Sequence, residues 1–446
     1  MKGQSGKRQR GKRRPKRKRT LPEERLSALE TGTFDYFWQE TNPGNGLLPD
    51  STRKGAPASI AGVGLALASY AIGAARGYVS RSEACNRVLK ILRFFARSPQ
   101  GVEVDATGYK GFYYHFLDVE SGRRHRRSEL STIDTAILLG GFLTASAYFD
   151  RDSRAERETR ALSKDLVDRV DWKWAQNGGV TVSHGWSPER GFLPYRWEGY
   201  NEALLLHVIG LGSETSPLPR DTYRAWCSSY VWKKLYGIEF LYGGPLFMHQ
   251  LSHAFVDFRG IQDEYMRAKG IDYFENSRRA TYVQQQYAIR NPKGFEGYGE
   301  HVWGITASDG PGPLSRRVNG VARRFLGYRA RAVPWGPDDG TLAPWAVAAS
   351  LPFAPEIVLP TLDHYVKRYP RMVSRYGLVC SFNPTLPDGS RSWISGGHFA
   401  IDQGPVAMMI ENYRSGLIWR LLRRSPVIVR GLRRAGFAGG WLGPPK

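Results

Sequence analysis

The sequence of 446 residues has few cysteines, few acidic residues and no long apolar run, and each shortage excludes a class of protein. Its three cysteines, Cys85, Cys227 and Cys380, are far apart, which rules out a disulfide framework and any CxxC zinc or redox motif. The longest uncharged run, residues 55–75, is diluted by glycine and serine and contains Pro57, unlike a typical membrane span. The chain is therefore expected to fold on its hydrophobic core alone.

The shortage of acidic residues leaves 41 Asp and Glu against 64 Lys and Arg, a net charge of +23. Residues 1–20 hold 11 of the basic side chains and no acidic one, and the rest of the chain has a net charge of +12. Because this segment has no apolar side chain to offset the entropy cost of ordering, it is predicted to be a disordered basic tail. Two interpretations stay open: non-specific contact of residues 2–19 with polyanions, and a solvated extension without a function.

The segment after the tail carries no sign of export. Residues 21–25 read Leu-Pro-Glu-Glu-Arg, so the apolar stretch of a signal peptide is missing. The protein as encoded is expected to be cytoplasmic, or periplasmic or secreted if its true start or export signal differs. Beyond residue 20, basic and acidic residues are intermixed, which argues against a nucleic-acid-binding stripe.

From residue 21 onward one unit recurs, a helical segment followed by a loop rich in Gly, Trp, Tyr and Pro, and no linker marks a second domain. Apolar helices alternate with helices that carry charge on one face, as buried and outer helices do. This alternation predicts an all-α fold, an (α/α)6 barrel made by residues 21–446 as a single domain, with short β-hairpins at the rim near residues 109–116 and 377–382. The predicted helices are 22–39, 59–76, 81–97, 132–149, 154–170, 201–210, 221–235, 249–269, 272–291, 344–350, 355–369 and 403–423.

Acidic residues occur at the predicted starts of three of the apolar helices. Inner helices of such a barrel all run in one direction, so the loops before them meet at one mouth. Asp134, Glu202 and Asp402 each begin one of these helices, and the aromatic residues Trp197 and Tyr200 precede Glu202. Carboxyl groups that converge among aromatic rings indicate a saccharide cleft with a general acid and a general base.

Each of the three acids also has a purely structural interpretation. Asp134 follows Ser131 at the spacing of a capping box. Asp402 precedes Gly404 and Pro405, as an N-cap residue does. Glu202 fits a first-turn acid that interacts with the helix dipole, which favours the ionised form and opposes the raised pKa of a general acid. Spacing alone leaves these alternatives open.

Eight motifs that follow one another along the chain resemble those of the glucoamylase-like domain family, and the resemblance runs from about residue 26 to 436. This family is similar to the endo-β-1,2-glucanases of glycoside hydrolase family 144 and to the transglycosylation domain of cyclic β-1,2-glucan synthases. The motifs are 33–38 (TFDYFW), 111–118 (GFYYHFLD), 128–136 (SELSTIDTA), 199–203 (GYNEA), 249–253 (HQLSH), 306–311 (TASDGP), 338–341 (DDGT) and 401–405 (IDQGP).

The resemblance implies an (α/α)6 glycoside hydrolase that cleaves β-1,2-linked glucose chains internally with inversion, and its GYNEA motif assigns the general acid to Glu202. For the general base, Asp134 is expected first and Glu129 second, because the glucanases carry an additional acid where this chain has Ser131 and the synthase domains carry one at Glu129. Asp402 is expected to position sugar hydroxyls or to complete a proton relay. A β-1,2-glucan transglycosylase and a non-catalytic saccharide-binding protein are the alternatives.

Residues of these motifs and nearby aromatic and arginine side chains are expected to contact an oligo- or polysaccharide substrate. They are Trp38, His115, Trp197, Tyr200, His249, Gln250, His253, Arg259, Arg278, Trp303, Asp309 and Asp339. His249 and His253 have the spacing of zinc ligands, but Gln250 stands where a zinc protease needs its glutamate base, so no metal is expected. No other cofactor and no membrane contact is expected either, and the protein is predicted to be a monomer.

Overall fold

The computed structural model describes residues 21–389 and 391–444, so the predicted basic tail, residues 1–20, lies outside the described residues. The described chain is mostly helical, as the sequence predicted. Across these two ranges, no helix is both long enough and apolar enough to cross a membrane.

The helices follow one another along almost the whole described chain. They are α1 Leu21–Glu40, α2 Ile60–Arg76, α3 Arg81–Arg97, α4 Thr132–Tyr148, α5 Arg154–Asp168, α6 Leu204–Gly212, α7 Arg220–Ser228, α8 Leu251–Phe255, α9 Glu264–Lys269, α10 Tyr273–Arg290, α11 Pro344–Ala349, α12 Pro355–Arg368, α13 Ala400–Arg414, α14 Leu417–Leu422 and α15 Pro426–Arg434. The predicted helix 81–97 begins with a capping box, in which the side chains of Ser80 and Glu83 each accept from the other residue's backbone N–H.

Six of the helices, α2, α4, α6, α8, α11 and α13, are buried over most of their length. Helix α2 packs against α4 and α13, α4 against α6, α6 against α8, and α11 against α13. Amphipathic helices cover them from outside: α3 contacts α2, α5 contacts α4, and α12 contacts α11. The predicted alternation of buried and outer helices is confirmed, and closure into six pairs stays a prediction.

Glycine permits the closest of these contacts, between α2 and α4. A Cβ added to Gly64 would lie 2.5 Å from the carbonyl oxygen of Ile137, and one added to Gly141 would lie 2.3 Å from the carbonyl oxygen of Gly64. The two backbones therefore touch directly, which brings the starts of both helices to the same end of the core.

Three predicted helices are shorter or interrupted. Helix α7 ends at Ser228, because Tyr236 and Gly237 both have positive φ and close a two-residue hairpin turn that draws the preceding residues into a strand. The predicted helix 249–269 is divided into α8 and α9, and the predicted helix 403–423 is divided into α13 and α14 at Gly416, which is left-handed.

Strands are more numerous than the sequence predicted, although most have only two to five residues. The expected hairpins near 109–116 and 377–382 are present. The first pairs β2 (Gly108–Tyr109) with β3 (Phe112–Tyr114), and the second pairs β14 (Val373–Ser374) with β15 (Gly377–Leu378). A five-stranded antiparallel sheet, in the order β2-β3-β5-β6-β7, leads through β5 directly into α4. The strands are β1 Ala58–Ser59, β2 Gly108–Tyr109, β3 Phe112–Tyr114, β4 Phe116–Leu117, β5 Leu130–Ser131, β6 Gly185–Ser187, β7 Gly191–Phe192, β8 Trp232–Leu235, β9 Ile238–Leu241, β10 Ala307–Ser308, β11 Leu314–Val318, β12 Val321–Phe325, β13 Arg329–Ala330, β14 Val373–Ser374, β15 Gly377–Leu378, β16 Phe382–Asp388 and β17 Arg391–Ile394.

Candidate active site

One cavity of about 700 Å³ opens where the buried helices begin, a volume typical of ligand sites. Every one of the six helices contributes to its wall through its first turn or the loop before it. The lining includes Asp50, Arg53 and Ser59 before α2; Glu129, Ser131 and Asp134 around the start of α4; Trp197 and Glu202 before α6; Phe247 and Gln250 before α8; Asp309, Tyr328 and Trp345 before or in α11; and Phe399, Ile401 and Asp402 at the start of α13. The expectation that these helix starts meet at one mouth is confirmed.

Glu202 lies in the turn before α6, outside the first helical turn. The helix begins at Leu204 with Ala203 as its N-cap, so the interpretation of Glu202 as a first-turn acid is wrong. The hydroxyl of Ser252 fixes the turn by donating to the carbonyl oxygen of Glu202 at 3.0 Å and accepting from the N–H of Leu205 at 3.0 Å. The carboxyl atom Oε2 is buried without a hydrogen-bond partner among the described residues.

Burial governs the protonation of this carboxyl group. Desolvation, with a smaller contribution from the negative charge of Asp134, raises the pKa of Glu202 to about 7. A carboxylic acid that keeps its proton up to neutral pH is able to protonate a leaving group. The geometry therefore gives Glu202 the protonation state that its motif implied.

Asp134 both belongs to a helix cap and faces the cavity. Ser131 is the N-cap of α4: its hydroxyl accepts from the N–H of Asp134 at 3.2 Å and donates to Oδ2 of Asp134 at 2.5 Å. Ser131 is the cap, but the reciprocal half of a capping box is missing at these described residues, because the carboxylate of Asp134 bonds to the serine hydroxyl and not to its backbone N–H. The same carboxylate lines the cavity. Capping and chemistry are therefore compatible at this position.

His115 connects two of the predicted acids. Its Nδ1 lies 2.9 Å from Oε1 of Glu129, and its Nε2 lies 3.8 Å from Oδ2 of Asp134. Burial opposes the charged form, but the Asp134 and Glu129 carboxylates outweigh it and raise the pKa of His115 to about 9. Burial likewise acts to raise the pKa of Glu129, but the bond to His115 brings it below its usual value. At neutral pH the ring is thus a cation between two carboxylates.

Asp402 is the most deeply buried of the four predicted acids. Helix α13 begins at Ala400 with Phe399 as its N-cap, so the interpretation of Asp402 as the N-cap is wrong. Its Oδ2 has no hydrogen-bond partner in the described ranges, and burial raises its pKa well above the usual value. Burial therefore favours the protonated form of Asp402.

Four predicted substrate contacts line the cavity: His115, Trp197, Gln250 and Asp309. The indole Nε1 of Trp197 donates to Thr132 at 2.9 Å, which fixes the ring beside Glu202 in the cavity wall. The amide nitrogen of Gln250 donates to the carbonyl oxygen of Ala346 at 2.6 Å, whereas its Oε1 is buried and unpartnered within the described chain. Hydrogen bonds thus fix the side chains of Trp197 and Gln250, and both residues still line the cavity.

The predicted contacts Tyr200, His249 and His253 are absent from the cavity wall and form part of the packed core. Nε2 of His249 bonds to the carbonyl oxygen of Gly243 at 3.0 Å, and Nε2 of His253 bonds to Ser277 at 3.0 Å. Burial lowers the pKa of the two histidines to about 4 and about 3, so both are neutral. The described residues contain no group of His, Cys, Asp and Glu side chains that could hold a metal ion.

The remaining five predicted contacts also lie outside the cavity wall, because each is engaged in the fold. Trp38 lies under the guanidinium of Arg87; Arg259 pairs with Asp257; Arg278 donates to the carbonyl oxygen of Phe353; Trp303 donates to Thr361; and Asp339 pairs with Arg331. These five side chains therefore stabilise the fold and do not line the cavity.

The structure adds functional residues that the sequence reasoning missed. Asp50 lines the cavity, and burial raises its pKa to about 6. Arg53 forms an ion pair with Asp309 at the same site. Tyr328 and Trp345 complete the aromatic part of the wall. None of them belongs to a short motif, although Asp50 does precede a predicted helix start, as the other acids do.

With the geometry established, comparison with known proteins identifies the family. Residues 194–426 match a family model described as "Putative glucoamylase". A glucoamylase-type crystal structure from Bacteroides uniformis has 31% sequence identity and a TM-score of 0.84, and the match covers 96% of this chain and 100% of that one. The chain therefore belongs to the glucoamylase-like family that this model describes.

Two further relatives are named for an activity on β-1,2-linked glucose chains. An endo-β-1,2-glucanase from Chitinophaga pinensis, solved with sophorotriose and glucose, has 26% identity and a TM-score of 0.83, and the match covers 95% of this chain and 100% of that one. An exo β-1,2-glucooligosaccharide sophorohydrolase of Parabacteroides distasonis is 26% identical over 92% of this chain. The chain spans 58% of the length of that second relative.

Proposed function

We propose that this protein is a glycoside hydrolase that cleaves β-1,2-linked glucose chains internally, and that residues 21–446 form one catalytic domain with (α/α)6 architecture. The six buried helices, each with its start at the same cavity, support the architecture. The activities named for two relatives, both on β-1,2-linked glucose chains, support the substrate.

The observation that carries the proposal is the difference in protonation between acids of one cavity. The pKa of Glu202 is raised to about 7 by burial, whereas that of Glu129 is brought below its usual value by His115. Acids whose environments separate their pKa values are suited to opposite roles, one donating and one accepting a proton. Such a pair is the minimum that glycoside hydrolysis requires.

In the proposed mechanism, Glu202 protonates the glycosidic oxygen as the bond to the anomeric carbon breaks. A water molecule attacks that carbon from the opposite face, and Asp134 accepts its proton, so the configuration is inverted. His115, a cation at neutral pH, faces Asp134 and holds Glu129, which is the alternate base. Asp402, whose pKa is raised well above its usual value by burial, positions sugar hydroxyls or completes a relay to the bulk water.

The proposal is tested by product analysis on linear β-1,2-glucan. Internal cleavage gives oligosaccharides of many lengths at early times, release from one end gives sophorose alone, and transglycosylation gives longer or cyclic products without new reducing ends. NMR of fresh product distinguishes inversion, which yields the α-anomer, from retention. A folded protein that leaves β-1,2-glucan and its oligosaccharides unchanged contradicts the proposal.

A further inference from the structure

Residues 310–330, which we call the arginine arm, have an unusual charge pattern. Between Gly310 and Pro337 the chain has six arginines and no acidic residue. Strands β11 and β12 form a hairpin closed by Asn319 and Gly320, both of which have positive φ. One face of this hairpin packs through Val318 and Phe325 onto Leu386, so the arm is a folded element.

The arm begins and ends at the cavity. Asp309, the residue before it, and Tyr328, within it, both line the cavity. Strand β13 pairs with β10, which places Arg329 opposite Ser308 and beside Ala307, another lining residue. Arg329 therefore lies beside the wall of the proposed substrate site, and the hairpin that carries the other four arginines is joined to this wall at both of its ends.

These charges are not neutralised within the described chain. None of the five arginines of the arm forms an ion pair in the described ranges: Arg316, Arg317, Arg323, Arg324 and Arg329. The contrasting case is Arg331, just beyond the arm, which is buried and paired with Asp339 at 2.7 Å. Guanidinium groups without a carboxylate partner remain available for anion recognition, to which the planar fork of arginine is well suited.

The strand register divides the hairpin arginines into two groups. Arg316 and Arg323 lie opposite each other on one face, where Arg323 donates to the carbonyl oxygen of Gly294 at 2.6 Å. Because side chains alternate along a strand, Arg317 and Arg324 share the other face, where both are exposed to solvent. Arg316 and Arg329 are exposed as well, so four of the five arginines of the arm are accessible to a ligand. Arg316 and Arg317 also donate to the carbonyl oxygens of Pro387 and Gly320, at 3.4 and 2.6 Å.

We propose that the arginine arm binds anionic groups carried by the glucan chain, so that the preferred substrate is a β-1,2-glucan with carboxylate or phosphate substituents. The inference rests on the proposed function and specifies its substrate class. The carboxyl groups inside the cavity repel an anion, whereas Arg317, Arg324 and Arg329 attract one to the sugar units that remain outside. Such attraction also increases the rate of association at low ionic strength.

The test compares kcat/KM on succinylated linear β-1,2-glucan, whose half-esters carry carboxylates, with kcat/KM on the same glucan unmodified. The variant is Arg317→Gln, Arg324→Gln, Arg329→Gln. The matched control is Arg97→Gln, Arg154→Gln, Arg220→Gln, which removes three exposed charges from α3, α5 and α7. Each exposed pair of opposite charges contributes a factor of about 1.4 to 5, so the arm variant should lower the ratio of the two kcat/KM values at least about threefold.

The control variant should keep the wild-type ratio, and 0.5 M salt should reduce the wild-type ratio towards that of the arm variant. An equal ratio in the wild type and the arm variant overturns the inference, and so does an equal loss in both variants, which would indicate a general effect of net charge. Retention of a random polynucleotide by the arm without any preference for the succinylated glucan also overturns it. Cleavage of the unmodified glucan is scored separately, so failure of the proposed function is distinguished from failure of the arm.

Discussion

Near neutral pH the cavity contains a glutamate divided between its protonated and ionised forms and a histidine that keeps its positive charge. Burial raises the pKa of Glu202 to about 7, and neighbouring carboxylates raise that of His115 to about 9. His249, a residue of the same type in the core, has a pKa of about 4 because it is buried without a negative neighbour. Residue type alone therefore leaves the protonation state open, and the contacts of each side chain decide it.

Replacing Glu202 tests the general acid directly. Glu202→Gln keeps the shape and most of the hydrogen bonding but removes the proton that is donated, so kcat on β-1,2-glucan should fall about 10²- to 10⁴-fold. A thermal melt should give a transition no lower than that of the wild type. A variant that keeps more than roughly a third of wild-type turnover assigns the acid to another residue.

The raised pKa of Glu202 predicts the alkaline limb of the pH profile. The general acid works only while protonated, so kcat/KM should be constant below about pH 7 and fall close to tenfold per unit above it. The measurement is kcat/KM on unmodified glucan between pH 5 and 9. If kcat/KM already falls with rising pH below pH 5, Glu202 is ionised in the free protein and is not the general acid.

Variants of Asp134 and Ser131 distinguish a catalytic role from a helix-capping role. Asp134→Asn cannot accept a proton from water, and kcat should fall about 10²- to 10⁴-fold with an unchanged melting temperature. Ser131→Ala removes the N-cap of α4 and should cost about 0.5–2 kcal/mol of stability. Retained activity in Asp134→Asn assigns this aspartate to structure and moves the base to Glu129.

At the scale of helices and strands, local sequence predicts starts better than ends. The start of α3 follows from local residues, because Ser80 and Glu83 have the spacing of a capping box. The small apolar residues after Ser59 likewise predict the buried helix α2. The interruption at Gly416 and the hairpin turn at Tyr236 and Gly237 depend on left-handed residues, one of which is not glycine. Two-residue strands such as β5 have no periodicity to detect, because their ladder partners come from distant segments.

The contact of α2 with α4 is expected to be intolerant of larger residues. Gly64→Ala places a Cβ 2.5 Å from the carbonyl oxygen of Ile137 and should cost about 1–3 kcal/mol of stability, measured by urea unfolding. Gly396→Ala is the control, because a Cβ there meets no atom within 4 Å, and its stability should change by less than about 1 kcal/mol. Equal stability of the two variants means that the backbones are able to separate without cost.

Across the whole molecule, acidic side chains outnumber the basic Arg53, His115 and His184 in the cavity wall, whereas basic side chains outnumber acidic ones in the rest of the chain. Six carboxyl-bearing residues line the cavity: Asp50, Glu129, Asp134, Glu202, Asp309 and Asp402. The surroundings carry the opposite sign, since the net charge is +12 even without residues 1–20. A neutral sugar is compatible with both regions, whereas an anionic substituent is favoured only outside the cavity.

Deleting residues 1–20 separates the tail from the site. The lining residues of the cavity all lie between Asp50 and Pro405, so turnover of unmodified glucan should stay within about twofold of the full chain. Retention on immobilised polyphosphate should decrease, because 11 of 64 basic residues are removed. A large loss of turnover would mean that the tail takes part in catalysis or folding.

The sequence by itself determined the alternation of buried and outer helices and all of the six cavity acids except Asp50, because helical periodicity and motif positions are local properties. Only the tertiary structure decided which other residues reach the cavity: it admitted Asp50 and Tyr328 and buried His249 and His253 in the core. It also decided that Glu202 precedes its helix and that burial raises its pKa to about 7. The cavity is assembled from six segments distant in sequence, so burial and neighbouring charges, which set both outcomes, exist only after those segments pack together.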